Sequence, residues 1–186
     1  MPGLGHNNGP TMEPGESWRR FAWGRARAAL LPTLPIEVVR LRVKRAAEIG
    51  LDYRTYASVR AASGHDVVAF LFSTNALRLL PRCPALPADR AVKLAAIHDC
   101  GRVALVQVAL TPAAVLHAGI GVIDRAATAP LPLASYPQAR EAIRASLVGL
   151  PADRVVLVGD LGLEQEWCAA GALAYYLPAE RYFGAV

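Results

Sequence analysis

Val155-Val156-Leu157-Val158-Gly159-Asp160-Leu161-Gly162-Leu163-Glu164 is the stretch whose reading decides the fold. Residues 155–158 are all apolar and mostly β-branched, so the run has no polar face. It reads as a strand buried on both sides. Gly159-Asp160 then turns the chain, and Asp160 is a residue type that caps a helix by accepting backbone N–H bonds. A doubly buried strand that feeds a helix is the unit of a parallel sheet with helices on both faces.

The same pattern recurs on the way back along the chain. Val67 to Phe72 is a β-branched and aromatic run, and Ser73-Thr74-Asn75 after it predicts a helix through Leu80. A Pro-rich loop leads to a helix from about Ala88 to Ile97. Val103 to Val108 predicts a second strand, with a helix after Thr111-Pro112. Residues 126–137 read as a loop and Gln138 to Val148 as a helix. Leu173 to Leu177 makes a fourth apolar strand. Residues 65–186 are thus expected to form a small parallel-sheet, Rossmann-like α/β domain.

The front of the chain differs. Residues 1–15 are rich in Gly, Pro and Asn and predict a tail. Residues 16–64 predict a module of three helices. The first runs from Ser17 to Leu31 and stops at Pro32. The second runs from Pro35 to Gly50, with Ile36, Val39, Val43 and Ala47 on one buried face. The third starts at Asp52 as its N-cap and ends near Gly64.

Charge divides at the same place. Residues 1–64 hold ten Arg/Lys and five Asp/Glu, so +5, whereas residues 65–186 hold ten of each, which gives the net +5 of the whole. A basic front on a neutral back implies a polyanion at one end only. Lys44 and Lys93 apart, every basic residue is Arg, which grips phosphate bidentately; codon bias accounts for that preference equally well. Cys83, Cys100 and Cys168 are widely spaced, so neither a disulfide framework nor a zinc site is expected, and a reducing cytoplasm fits. Met1 to Pro14 has no secretory pattern. Val103 to Ile123 is apolar, but Gln107, Thr111-Pro112 and Gly119-Ile120-Gly121 break it, so no membrane contact is expected.

Arg45 to Arg60 resembles a helix-turn-helix motif. Ala46 supplies the small residue where two helices cross, and Gly50 supplies the turn. Ile49, Leu51 and Val59 supply the apolar anchors. Tyr56 departs from the pattern, which has a smaller aliphatic residue there. The resemblance implies nucleic-acid contact by the third helix through Tyr53, Arg54, Ser58 and Arg60, with Arg54 at a base edge. Arg19, Arg20, Arg25, Arg27, Arg40, Arg42 and Lys44 would then face phosphates. Trp18 and Trp23 lie among those arginines. The alternative is a helical cap whose arginines are simply solvated.

Residues 150–164, with Ala169-Ala170-Gly171, resemble the last motif of the haloacid dehalogenase-like superfamily. In that family the strand end offers two acids to Mg²⁺, and the resemblance implies Asp160 and Glu164 for them. The family's nucleophilic Asp-x-Asp pair is absent from this chain: Ser73 and Asn75 stand at the end of the first strand. Gln107 stands at the second strand end where the family has Ser or Thr, and Tyr136-Pro137 offers no basic residue, though Arg140 follows one turn on. No catalytic residue and no cofactor is therefore predicted, with Mg²⁺ the one ion that an intact site would take. Asp160 as a plain helix cap is the competing reading. His98-Asp99-Cys100 and Gly119-Ile120-Gly121 carry no motif with partners, and there is no P-loop, HExxH or GxSxG.

Three functions remain open at this point. One is a nucleic-acid-binding regulator whose back domain senses a ligand, dimerises or docks a partner. The others are a divergent Mg²⁺-dependent phosphohydrolase and a protein-interaction scaffold.

Overall fold

The computed structural model describes residues 34–82 and 85–184. The chain divides at Val39/Arg40 into two compact units, and the sheet with its covering helices lies in the second. The expected tail and the helix Ser17–Leu31 fall outside the described residues.

Helices α1 (Ile36–Glu48) and α2 (Tyr53–Ser63) precede strand β1 (Ala69–Ser73). There follow α3 (Ala88–Ala95), β2 (Gly101–Val106), α4 (Pro112–Ala118), β3 (Arg125–Thr128) and α5 (Tyr136–Leu147). Strand β4 (Val155–Gly159), α6 (Gly162–Gly171), β5 (Tyr175–Pro178) and α7 (Ala179–Phe183) complete the chain. All strand pairs are parallel, in the order β3-β2-β1-β4-β5. This is the doubly wound, Rossmann-like arrangement, and its order reverses between β1 and β4. Among the described residues, no helix is long and apolar enough to cross a membrane.

Every residue of β4 and of β1 is buried, as the unbroken apolar runs require. Strand β3 is a departure, since residues 126–137 read as a loop. Arg-Ala-Ala-Thr has weak strand propensity, and the edge position leaves it half-buried, so no pattern announces it. The helix expected over residues 73–80 is a second departure. Tight turns replace it, with Arg78 in the left-handed region at φ 55°.

Alternation along the strands makes two apolar layers. Phe70, Phe72, Val156, Val158 and Leu177 face one layer with Ile49, Tyr56, Val59, Leu94 and Tyr182. Leu71, Leu105, Val155 and Leu157 face the other with Ile143, Leu147, Trp167 and Cys168. Residues on both sides of the expected boundary at 64/65 thus share one core. The face of α1 expected to be buried is not: Ile36 and Val43 are exposed, and Ala46 and Ile49 turn inward. Small Ala46 lets the helix approach, and Gly50, at φ 70°, reverses the chain against Tyr182. The Tyr182 hydroxyl donates to the Ile49 carbonyl at 3.2 Å. Asp52 caps α2 by accepting from Thr55 N at 2.9 Å.

Arg45 fastens α1 to the loops below the sheet. Its Nε donates to Asp66 (3.1 Å), its Nη1 to Glu48 and the His98 carbonyl, and its Nη2 to the Val67 and Asp99 carbonyls. Every N–H of the guanidinium fork is used. Asp66 also accepts from the Tyr56 hydroxyl at 2.7 Å, so the bulky residue that departs from the helix-turn-helix pattern is built into this joint.

At the start of β2, Arg102 grips Asp124 through Nε and Nη2, and its backbone N–H joins them at 2.7 Å. Burial opposes the Asp124 charge, but these hydrogen bonds outweigh it and hold the carboxyl below its ordinary value of 3.8. A depressed folded-state pKa stabilises above the unfolded value and is lost as pH falls through the folded one. Asp124→Asn is therefore expected to cost on the order of 1 kcal/mol at neutral pH, since the pair is partly exposed. In denaturant titrations the difference from wild type should shrink as pH falls below 3.8 and vanish only below the lowered folded-state value.

Candidate functional site

Open parallel sheets bind ligands outside the carboxyl ends of their strands, where the order reverses. Here that point is the end of β1 beside β4. Strand β1 delivers Ser73, Thr74 and Asn75, β2 delivers Gln107, and β4 delivers Asp160 with Glu164 in the first turn of α6.

Glu164 is fully buried and sits at the centre. Its Oε1 accepts from Asn75 Nδ2 at 2.8 Å and Gln107 Nε2 at 3.2 Å. Its Oε2 accepts from the backbone N–H groups of Asp160 at 2.6 Å and Leu161 at 3.1 Å. One carboxylate thus caps α6 and ties together the ends of three strands. A carboxylate has roughly four acceptor positions, and all are taken. Packing is close as well: a Cβ on Gly159 would lie 2.6 Å from Oε2.

The expected Mg²⁺ pair is therefore split by geometry. Asp160 is exposed at the crevice, whereas Glu164 has no lone pair left to offer. Among the described residues, no group of three or more His, Cys, Asp or Glu could hold a metal ion. Ser73 is wholly buried, and its Oγ accepts from the Ala76 N–H at 3.1 Å. Among the described residues no base is hydrogen-bonded to its hydroxyl, and a nucleophilic serine needs one. Burial pushes the Cys100 thiol up to about 12 and the Cys168 thiol to about 11, which keeps both protonated and unreactive near neutral pH. Cys83 lies outside the described residues.

Arg90 of α3 borders the same end of the sheet. It is buried, pairs with Asp89 at 3.0 Å, and stands over the Phe183 ring with Cζ 4.0 Å from the centroid. Burial lowers its pKa, as does Arg78, while Asp89 and Asp160 raise it. Its Nε has no hydrogen-bond partner among the described residues.

The basic residues separate into two groups. Arg40, Lys44 and Arg54 are exposed, and Arg42, Tyr53, Ser58 and Arg60 are half-exposed. Lys44 also reaches Glu48 at 3.9 Å, and the Ser58 hydroxyl donates back to the Arg54 carbonyl at 3.0 Å. Arg19, Arg20, Arg25 and Arg27, with Trp18 and Trp23, lie outside the described residues. Arg45, counted within the basic front, is spent internally. Its partners Asp66 and Asp99 are distant in sequence, and no local pattern marks them. Comparisons with protein-family models, with curated proteins and with solved structures returned no match.

Proposed function

We propose that this chain binds nucleic acid through the outer surface of the α1–α2 pair, and that its α/β domain is a non-catalytic, haloacid dehalogenase-like module that serves regulation. The division of the basic residues carries the reading. Arg40, Lys44 and Arg54 are exposed on two helices joined by a left-handed glycine turn, while Arg45 on the inner side is consumed by structural bonds. An exposed Arg in the first turn of the second helix suits a guanine edge. Exposed Arg40 and Lys44 on the preceding helix suit phosphates.

The non-catalytic half of the proposal rests on the filled crevice. Glu164 is saturated by N–H donors, and Ser73 is buried with no base at its hydroxyl among the described residues. Protein docking is the regulatory role with a specific observation in its favour. Leu80, Val108, Leu131 and Leu133 are exposed in loops at the carboxyl ends of the strands, Leu133 at 98%.

Fluorescence anisotropy with a labelled duplex tests the proposal. Arg54→Ala is expected to weaken binding by about 1–3 kcal/mol and to relax sequence preference, while Lys44→Ala weakens all sequences alike. Equal binding by wild type and Arg54→Ala would remove Arg54 from the interface. Mg²⁺-dependent phosphomonoester hydrolysis that Asp160→Ala abolishes would instead establish the phosphohydrolase.

A further inference from the structure

Helix α7 is fixed to the turn that joins α1 to α2. Tyr182 and Phe183 are buried, whereas Arg181 before them is exposed. The Tyr182 hydroxyl donates to the Ile49 carbonyl at 3.2 Å, across 133 residues of sequence. A Cβ at Gly50 would lie 3.3 Å from the same hydroxyl, so the two backbones meet closely there. The Tyr182 ring packs on Phe70, Phe72 and Phe183, with centroids 5.3, 5.6 and 4.9 Å away. Inward-facing aromatic residues thus hold α7 in place, and Arg181 is carried on its outer side.

That placement brings Arg181 to the first turn of α2. Asp52, the N-cap of α2, is held below its ordinary value of 3.8. The Thr55 hydroxyl lowers it most, burial opposes this, and the Thr55 N–H and the positive charge of Arg181 lower it further. The Asp52 carboxylate itself is engaged by Thr55, through the backbone N–H and the hydroxyl. An acid at this place would by itself repel a polyanion, and Arg181 offsets it. Arg54, two residues on, is exposed. The first turn of α2 is therefore flanked by Arg54 of its own helix and by Arg181 of α7. By sequence Arg181 belongs to the neutral residues 65–186, but the fold adds it to the basic front.

We propose that Arg181 is part of the nucleic-acid face and holds a backbone phosphate beside the base that Arg54 reads. The inference rests on the nucleic-acid reading above and extends it to α7. Each DNA strand carries one phosphate per about 3.4 Å of helix axis, so a backbone passing the first turn of α2 offers phosphates to both sides of it. A guanidinium grips phosphate oxygens bidentately, and such a contact fixes register without reading sequence.

Fluorescence anisotropy of the full chain with a labelled duplex, repeated over a salt series, tests it. Arg181→Ala is expected to weaken binding about fivefold at low salt, alike for all sequences, and to make the log–log salt slope shallower by about one. Arg181→Lys should stay within about twofold of wild type, because the charge remains. Arg144→Ala is the control. Arg144 is exposed on α5, which packs on the opposite face of the sheet, and its loss should leave affinity and slope unchanged. Equal losses for Arg144→Ala and Arg181→Ala would reduce the effect to net charge and overturn the proposal. So would wild-type affinity and slope in Arg181→Ala, or weaker binding with an unchanged slope, which is the mark of a purely structural role. If Arg40→Ala and Lys44→Ala still lower the slope, the nucleic-acid reading then stands without α7. No binding by wild type would end both. Should Arg181→Ala not fold, Arg181→Gln keeps much of the stem and gives the same slope comparison.

Discussion

Glu164→Ala is expected to lower stability by about 3–5 kcal/mol, measured by urea unfolding, because it strips the acceptor from four N–H donors at once. The Asp160 and Leu161 amides lie at exposed residues and can recover water. The Asn75 and Gln107 amides lose the anchor that joins β1 and β2 to α6. Against a typical total of about 5–15 kcal/mol, that loss is a large share of the stability. Glu164→Gln should cost less than half as much. Its carbonyl oxygen still caps the two backbone N–H groups, and the Asn75 and Gln107 amides can rotate to present oxygen to its NH₂. Equal unfolding midpoints for wild type and Glu164→Ala would show that the network contributes nothing.

Arg45→Ala is the second large effect, at about 2–4 kcal/mol, since hydrogen bonds to charged groups are lost and Asp66 keeps only neutral partners. Arg45→Lys should recover less than half of it. An ammonium has three donors on a point charge and cannot span Asp66, Glu48 and three carbonyls in different directions. Thermal unfolding of the two variants checks this, and full recovery by Lys would reduce the joint to a simple charge effect. The same variants bear on function. If Arg45 is structural, Arg45→Lys changes stability and leaves the exposed basic surface intact.

How far the sequence could be read follows from how local each signal is. Strands β1 and β4 were legible because five adjacent residues carry their burial in each. Strand β3 was not, because Arg125, Ala126 and Ala127 become a strand only by lying beside Val103, Ala104 and Leu105. The Gly50 turn and the Asp52 cap were legible for the same local reason. Glu164 was singled out by its spacing from Asp160, but its hydrogen-bond network was not legible. Asn75 and Gln107 lie 89 and 57 residues away, and no local pattern announces that their amides donate to Glu164. Arg45 was hidden in the same way, since four of its five contacts come from loops at least 21 residues distant. The inward face of α1 was misassigned because Val43 and Ile36 look buried by hydropathy alone. The sheet accepts small Ala46 instead.

The measurement that bears most directly on nucleic-acid binding is the salt dependence of affinity for a labelled duplex, read as log K against log salt. With Arg40, Lys44 and Arg54 exposed and further arginines in residues 16–33, counterion release predicts a steep, linear, negative slope. The slope should become shallower by about one for each phosphate-facing residue changed to Ala, Arg40 and Lys44 among them. A flat slope, or no binding at low salt, would contradict a nucleic-acid partner and leave the basic front as a solvated helical surface.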